Sequence, residues 1–190
     1  MFSAEAIHYG LNLELMLTFI FELKCNFLFN YIRIMKSIYK LIISIAIPLT
    51  VGATSSFFTI DAIKGWYTTL EKPFFTPPNW LFGPAWTTLY LLMGISFYMV
   101  WNNVELSKYK SKAYLFFAVQ LGLNFFWSII FFYFQNPFAG LIEIILMLLA
   151  IILTIFYFSK ISKLAAWLLV PYVCWVSFAT VLNFAIWHLN

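Results

Sequence analysis

Residues 137–158 read "PFAGLIEIILMLLAIILTIFYF". Apart from Glu143 the run carries no charge, and a helix of about 20 such residues spans the hydrocarbon core of a bilayer. Pro137 suits the first helical turn, where its missing amide hydrogen costs nothing. The rest of the 190-residue chain resembles this stretch: 64% of residues are hydrophobic, 9% are charged and the mean hydropathy is +0.91. A soluble domain carries about 25% charged residues, so a water-soluble globule is excluded. The chain reads as an integral membrane protein with the lipid bilayer as its first partner.

Working outward from 137–158, four further helix-length stretches can be read, at about 38–59, 80–101, 113–134 and 164–187. No ten-residue alternation points to a barrel. The expected fold is an all-α bundle of five transmembrane helices, with short connections except for the one at about 60–79. The first 34 residues stand apart, because Glu14 and Glu22 interrupt their apolar patch and Lys24 and Arg33 follow. They lack the positive start, uncharged core and small-residue cleavage site of a secretory signal. Met35 opens a better beginning, "MKSIYKLIISIAIPL". The expected organisation is therefore a non-core extension at 1–34, either an interfacial amphipathic helix or an upstream start assigned in error, and a membrane domain at 35–190.

The net charge of +4 is small and lies in the connections, so it speaks of topology and not of nucleic acid. Lys36, Lys40, Lys108, Lys110, Lys112, Lys160 and Lys163 fall on one side, whereas Lys64 and Lys72 on the other are offset by Asp61 and Glu71. The positive-inside rule then puts the N-terminus and the second and fourth connections in the cytoplasm. A bacterial inner membrane is the expected location. Cys25 and Cys174 form no disulfide framework. His8 and His188 have no partner at ligand spacing, so neither a metal site nor an obligatory cofactor is expected.

Residues 71–86, "EKPFFTPPNWLFGPAW", hold four of the seven prolines. Proline fixes φ and pushes its predecessor towards extended geometry. Bare extended backbone is not tolerated in lipid, so this segment must lie over protein, at the interface or along a wetted cavity. It reads either as a stiff lid leading into the second span or as an interfacial loop anchored by Trp66, Phe74 and Trp80.

Helical spacing puts Trp86, Tyr90 and Met93 on one face, Gln120, Asn124, Trp127 and Ser128 on another, and Pro171, Trp175, Ala179 and Asn183 on a third. Small and polar residues in a membrane helix usually face other helices. A pocket walled by Trp86, Trp127 and Trp175, with Asn124 as a polar contact, would suit a large flat aromatic ligand. Ordinary packing of Trp against small residues would use the same faces, and the residues alone leave both open. Glu143 is the only ionisable residue well inside a span. Such carboxylates are expensive and functional candidates, although reaching an interface, protonation or a bond to a neighbouring helix would also account for it. No nucleophile–base arrangement, phosphate loop or paired carboxylates are visible.

Three stretches carry a family resemblance: "GWYTTLEKPFFTPPNWLFGPAWTTLYLLMGISFYMVW" (65–101), "LNFFWSIIFF" (123–132) and "AWLLVPYVCWVSFATVLNFAIWHLN" (166–190). Together they resemble the translocator protein / tryptophan-rich sensory protein family over about 36–190. The resemblance implies a five-helix bundle, commonly a homodimer, with a pocket capped by the first loop and with porphyrins such as protoporphyrin IX as ligands. It implies Tyr67, Trp86, Tyr90, Asn124, Trp127, Trp175 and Ala179 as ligand-binding residues. Trp86 and Trp175 match tryptophans tied to light- and oxygen-dependent porphyrin breakdown, and Lys64 or Lys72 would meet a propionate. The expected role is sensory or regulatory porphyrin binding; the alternatives are photo-oxidative breakdown and transport of porphyrins or other amphipathic molecules. Against transport, no inverted repeat or broken helix pair is visible. The cholesterol pattern of animal members is incomplete here, with Phe184 and His188 in place of a Tyr and a basic residue. Val104–Tyr109–Lys112 fits it only formally, so high-affinity cholesterol binding is not expected. Gly122, Ala139 and Gly140 are candidates for a dimer interface.

Overall fold

The computed structural model describes residues 4–103 and 108–190, with side chains from residue 15 onward. Val104, part of the formal cholesterol match, lies outside the described residues. Among them there is helix and no strand, and they fall into two compact units, Met1–Tyr39 and Lys40–Asn190.

In the first unit every described side chain from Leu15 to Lys36 is exposed. Helix α1 (Ala4–Lys64) is already formed well before Met35. The charged residues there interrupt hydropathy, but Glu, Lys and Arg are good helix formers, and no proline precedes Pro48.

The second unit holds the bundle. Among the described residues of the chain as a whole, four stretches are long and apolar enough to cross a membrane: Leu15–Lys64, Lys110–Tyr133, Pro137–Ser159 and Lys163–Leu189. Helix α3 (Asn79–Asn103) is just as long at 25 residues, but its Trp, Tyr, Thr and Pro make it less hydropathic. It packs with the others all the same: Met93 and Val100 are buried in one core with Phe117, Ile144, Ile151 and Val176. The protein is an all-α, multi-pass membrane protein.

Contact between α1 and α3 is close. Pro48 has no amide hydrogen, so the carbonyl of Ser44 loses its helical partner. Against this turn lies Gly94, where a Cβ would stand 2.6 Å from the Ile45 Cα and 2.9 Å from the Ser44 oxygen. Two helical turns further on, a Cβ at Gly52 would clash with the edge of the Tyr90 ring. Only glycine permits both approaches.

Helix α4 (Lys110–Ser128) ends in a π-helical turn, Ile129–Tyr133. The chain then reverses at Gln135, whose φ is 50°. Asn136 caps helix α5 (Pro137–Ser159) by accepting from the Ala139 amide at 3.0 Å. Pro137 sits at the start of that helix, as its missing donor favours. The last stretch is two helices, α6 (Lys163–Leu168) and α7 (Val170–Leu189). Pro171 cannot bond the carbonyl four residues earlier, so the chain breaks at Leu169, whose amide turns back to Ala166 at 3.1 Å.

Between α1 and α3 runs the proline-rich connection, with a single helical turn, α2 (Trp66–Thr69), followed by extended and turn structure up to Pro78. Phe75 turns inward to meet Phe178 of α7, with ring centroids 6.3 Å apart. Phe74 is fully exposed and Trp80 largely so. The segment therefore has one face on the bundle and one away from it.

Candidate functional site: an aromatic cavity under the first connection

A cavity of about 480 Å³ opens in the half of the bundle where the first connection lies. Its lining comes from α1, α2, α3, α4, the π-turn and α7. Tyr67 of α2, Trp86 and Tyr90 of α3, Asn124 and Trp127 of α4, and Trp175 and Ala179 of α7 all line it. Three long helices and the connection thus bring together seven residues that lie up to 112 positions apart in sequence. Lys64 and Lys72 do not line it. Lys72 sits over the Tyr67 ring, its Nζ 4.4 Å from the centroid, while Lys64 is exposed.

At one boundary of the cavity lies a directional chain of hydrogen bonds. The Tyr90 hydroxyl donates to Asn124 Oδ1 at 2.7 Å. Asn124 Nδ2 donates to the Tyr172 hydroxyl at 3.3 Å, which donates in turn to Met147 Sδ at 3.7 Å. All four residues are buried, and each donor placed in sequence polarises the next. Trp86 stacks on Tyr90 with centroids 5.6 Å apart and planes 28° from parallel, and meets Tyr172 edge-on. Its position is set by the polar chain beside it.

A second anchor holds Trp127. Its indole nitrogen donates to Asn183 Oδ1 at 3.2 Å, and Asn183 Nδ2 donates to the Pro137 carbonyl at 2.7 Å. Trp127 also stacks on Phe131 at 5.1 Å. Trp175 differs: its Nε1 is buried and has no acceptor among the described residues. An unpaired buried N–H costs about 1–3 kcal/mol, and an occupant carrying an acceptor would relieve it.

Tyr67 is buried between Phe131 and Phe132, with ring centroids 6.4 and 5.8 Å away. Burial pushes its hydroxyl pKa up, so at neutral pH it keeps its proton and remains a donor.

Several lining residues lie outside the expected set. Gly52, Ala53, Ser55 and Ser56 come from α1, where the small, polar second half of the first span was the available signal. Phe131 and Phe132 are adjacent in sequence and both buried. Neighbours on a regular helix are 100° apart, and here the π-turn, with more residues per turn, narrows the angle between them. Pro171 is exposed, so the third expected face does not begin there. A four-residue repeat drifts about 40° per step on a 3.6-residue helix; three steps from Asn183 carry Pro171 out of the bundle, and Tyr172 is buried instead.

Glu143 is buried in α5, does not line the cavity, and neither carboxyl oxygen has a hydrogen-bond partner among the described residues. Gly140 packs inside the bundle, where a Cβ would meet Phe131 and Asn183 at 3.1–3.2 Å, so it is not free to face a second copy. Gly122 has open space around it.

The pattern of the TspO/MBR family matches residues 44–188, the whole of the bundle that builds this cavity. The chain belongs to the TspO/MBR family. Among its TspO/MBR relatives, Tryptophan-rich protein TspO of Archaeoglobus fulgidus is 54% identical over 154 residues, covering 81% of this chain and 99% of that protein. Protein CrtK of Rhodobacter capsulatus is 39% identical over 139 residues, 73% of this chain and 85% of its own. The human Translocator protein is 39% identical over 128 residues, 66% of this chain and 75% of its own. The TspO/MBR match begins inside α1, after the charged stretch of residues 1–34.

Proposed function

We propose that this TspO/MBR protein binds a porphyrin or a similar flat tetrapyrrole in the aromatic cavity, in a sensory or regulatory role. The observation that carries this reading is one cavity of about 480 Å³ in which three tryptophans surround few polar groups. A mostly apolar pocket with sparse, fixed polar contacts is what a large aromatic ligand requires. Trp86 and Trp127 are held by their own partners and offer fixed surfaces; Trp175 offers a free N–H, and Asn124 and Tyr67 offer polar contacts. Lys72, above Tyr67, stands where a propionate leaving the cavity would meet a cation. Titration of the purified protein with protoporphyrin IX tests this: the Trp86→Phe, Trp175→Phe double variant should bind at least tenfold more weakly, and unchanged binding would overturn the assignment.

A second reading, light- and oxygen-dependent porphyrin breakdown, is favoured by the placement of Trp86 and Trp175 on one cavity. Oxidisable indoles would then flank the ligand on two sides. Loss of porphyrin absorbance under illumination, no faster than with free tryptophan at equal load, would reject it.

The proposed location is a bacterial inner membrane, with the α3–α4 and α5–α6 connections in the cytoplasm. Basic residues gather at that end beside interfacial aromatics: Lys40 with Trp101, Lys112 with Tyr157 and Lys160 with Phe156, an arrangement that suits a headgroup boundary. A homodimer is proposed, with Gly122 as the small residue free to face a second copy.

A further inference from the structure

The connection between α1 and α3 is stiffened by Pro73, Pro77 and Pro78, yet its own hydrogen bonds are local. Thr68 and Thr69 bond back to Gly65 and Trp66, and Thr76 bonds to Pro73. Asn190, just past α7, reaches across to it. The Glu71 amide donates to Asn190 Oδ1 at 2.9 Å, and Asn190 Nδ2 donates to the Glu71 carbonyl at 3.1 Å. The second hydrogen of that nitrogen goes to the Ile186 carbonyl at 2.8 Å, at the last turn of α7. One primary amide thus uses both its donors and its acceptor, pairing with a single backbone unit as a neighbouring strand would.

We infer that Asn190 is a positioning residue that latches the first connection to α7 and so controls access to the cavity. Glu71 lies midway between the two parts of the connection that touch the bundle: Tyr67, which lines the cavity, and Phe75, which packs on Phe178. Lys72, the next residue, lies over Tyr67. On one side the α2 turn, closed by Thr68 and Thr69, links Glu71 to Tyr67, and on the other Pro73 stiffens the path to Phe75, so fixing Glu71 holds Tyr67 and Phe75 together. Releasing it lets the segment lift as a unit about Gly65. The access consequence rests on the ligand reading proposed above; the latch itself does not.

The test reads the two separately. In full-length protein with Cys25→Ser and Cys174→Ser, a Ser56→Cys thiol on the cavity wall reports access to a small maleimide. Amide exchange at Glu71, in otherwise native protein, reports the latch. Asn190→Ala should speed both, by about tenfold if two neutral hydrogen bonds are lost. Asn190→Asp keeps an acceptor for the Glu71 amide but loses both donors, and should fall between. The thermal midpoint of the bundle should stay unchanged, which a general loss of packing would not allow. Protoporphyrin IX on- and off-rates should rise together, leaving the dissociation constant nearly constant. If either Glu71 exchange or thiol labelling is unchanged in Asn190→Ala, the inference is overturned. A protein that binds no porphyrin would fail the proposed function while both of these readouts still decide the latch.

Discussion

The hydroxyl of Tyr90 on α3 and the side-chain oxygen of Asn124 on α4 are 2.7 Å apart, the shortest link in the polar chain beside the cavity. It joins two helices through groups that are both buried in the bundle. Hydrogen bonds between membrane helices are worth about 0.6 kcal/mol on average and about 1.7 at most, so Tyr90→Phe should cost about 1 kcal/mol. Asn124→Leu should cost more, because it strands both Tyr90 and Tyr172. Denaturant titration of the two variants and their double, in one detergent, would read the coupling. Additive losses would show that the chain does not act as a unit.

Two glycines on the same helix pair should behave differently. Gly94→Ala drives a Cβ against the backbone of Ile45, which cannot yield; overpacking of this kind costs about 1–3 kcal/mol. Gly52→Ala meets only the Tyr90 side chain, which must leave its bond to Asn124 and its stack on Trp86 to make room. It should lower stability by about 1 kcal/mol, the worth of the lost Tyr90–Asn124 bond, and should also weaken porphyrin binding by displacing the Trp86 stack. Measuring thermal midpoints beside porphyrin titrations separates the two effects.

Gln135 holds φ at 50° between the π-turn and Asn136. A residue with a Cβ is strained there by about 1–2 kcal/mol, so Gln135→Gly should raise stability by about 1 kcal/mol. Gln135→Val, β-branched, should lower it. Unfolding midpoints of the three proteins check the order.

Alkali should act first on the first connection. Burial raises the Tyr67 pKa above the ordinary phenol value of 10.0, so the displaced ring ionises before the buried one. The contribution of the buried phenol is intact below pH 10 and is lost as pH rises above it. Amide exchange in residues 66–76 should therefore quicken above pH 10, and Tyr67→Phe should remove that step.

Glu143 contributes a carboxyl without partners to the core of α5. Replacing such a group by an apolar residue of similar volume is often neutral or stabilising. Glu143→Leu should unfold no more easily than the parent and should bind porphyrin equally well, since the residue lies off the cavity. Loss of ligand flux in proteoliposomes containing Glu143→Gln would instead favour the transport reading.

The bundle was legible because apolar length is a strong signal, and Trp86, Tyr90, Asn124 and Trp127 were legible because they repeat with the helical period. What escaped did so where that period fails. Pro171 was placed by a four-residue repeat that drifts, and Phe131 and Phe132 lie in a turn whose period is longer than 3.6 residues. Asn190 gave no sign at all; its contact with Glu71 spans 119 positions and follows no local pattern.

The π-turn at Ile129–Tyr133 can also be seen as a matter of counting. A turn of that kind holds one residue more than the path of an α-helix needs. The chain therefore carries a spare position between Trp127 and the Gln135 reversal, and one aromatic ring on the cavity wall depends on it. Deleting a single residue there would let the helix close its ordinary ladder and still cross the bilayer. The span would survive a change in length that the cavity would not, so the two are separate inheritances written into the same five residues.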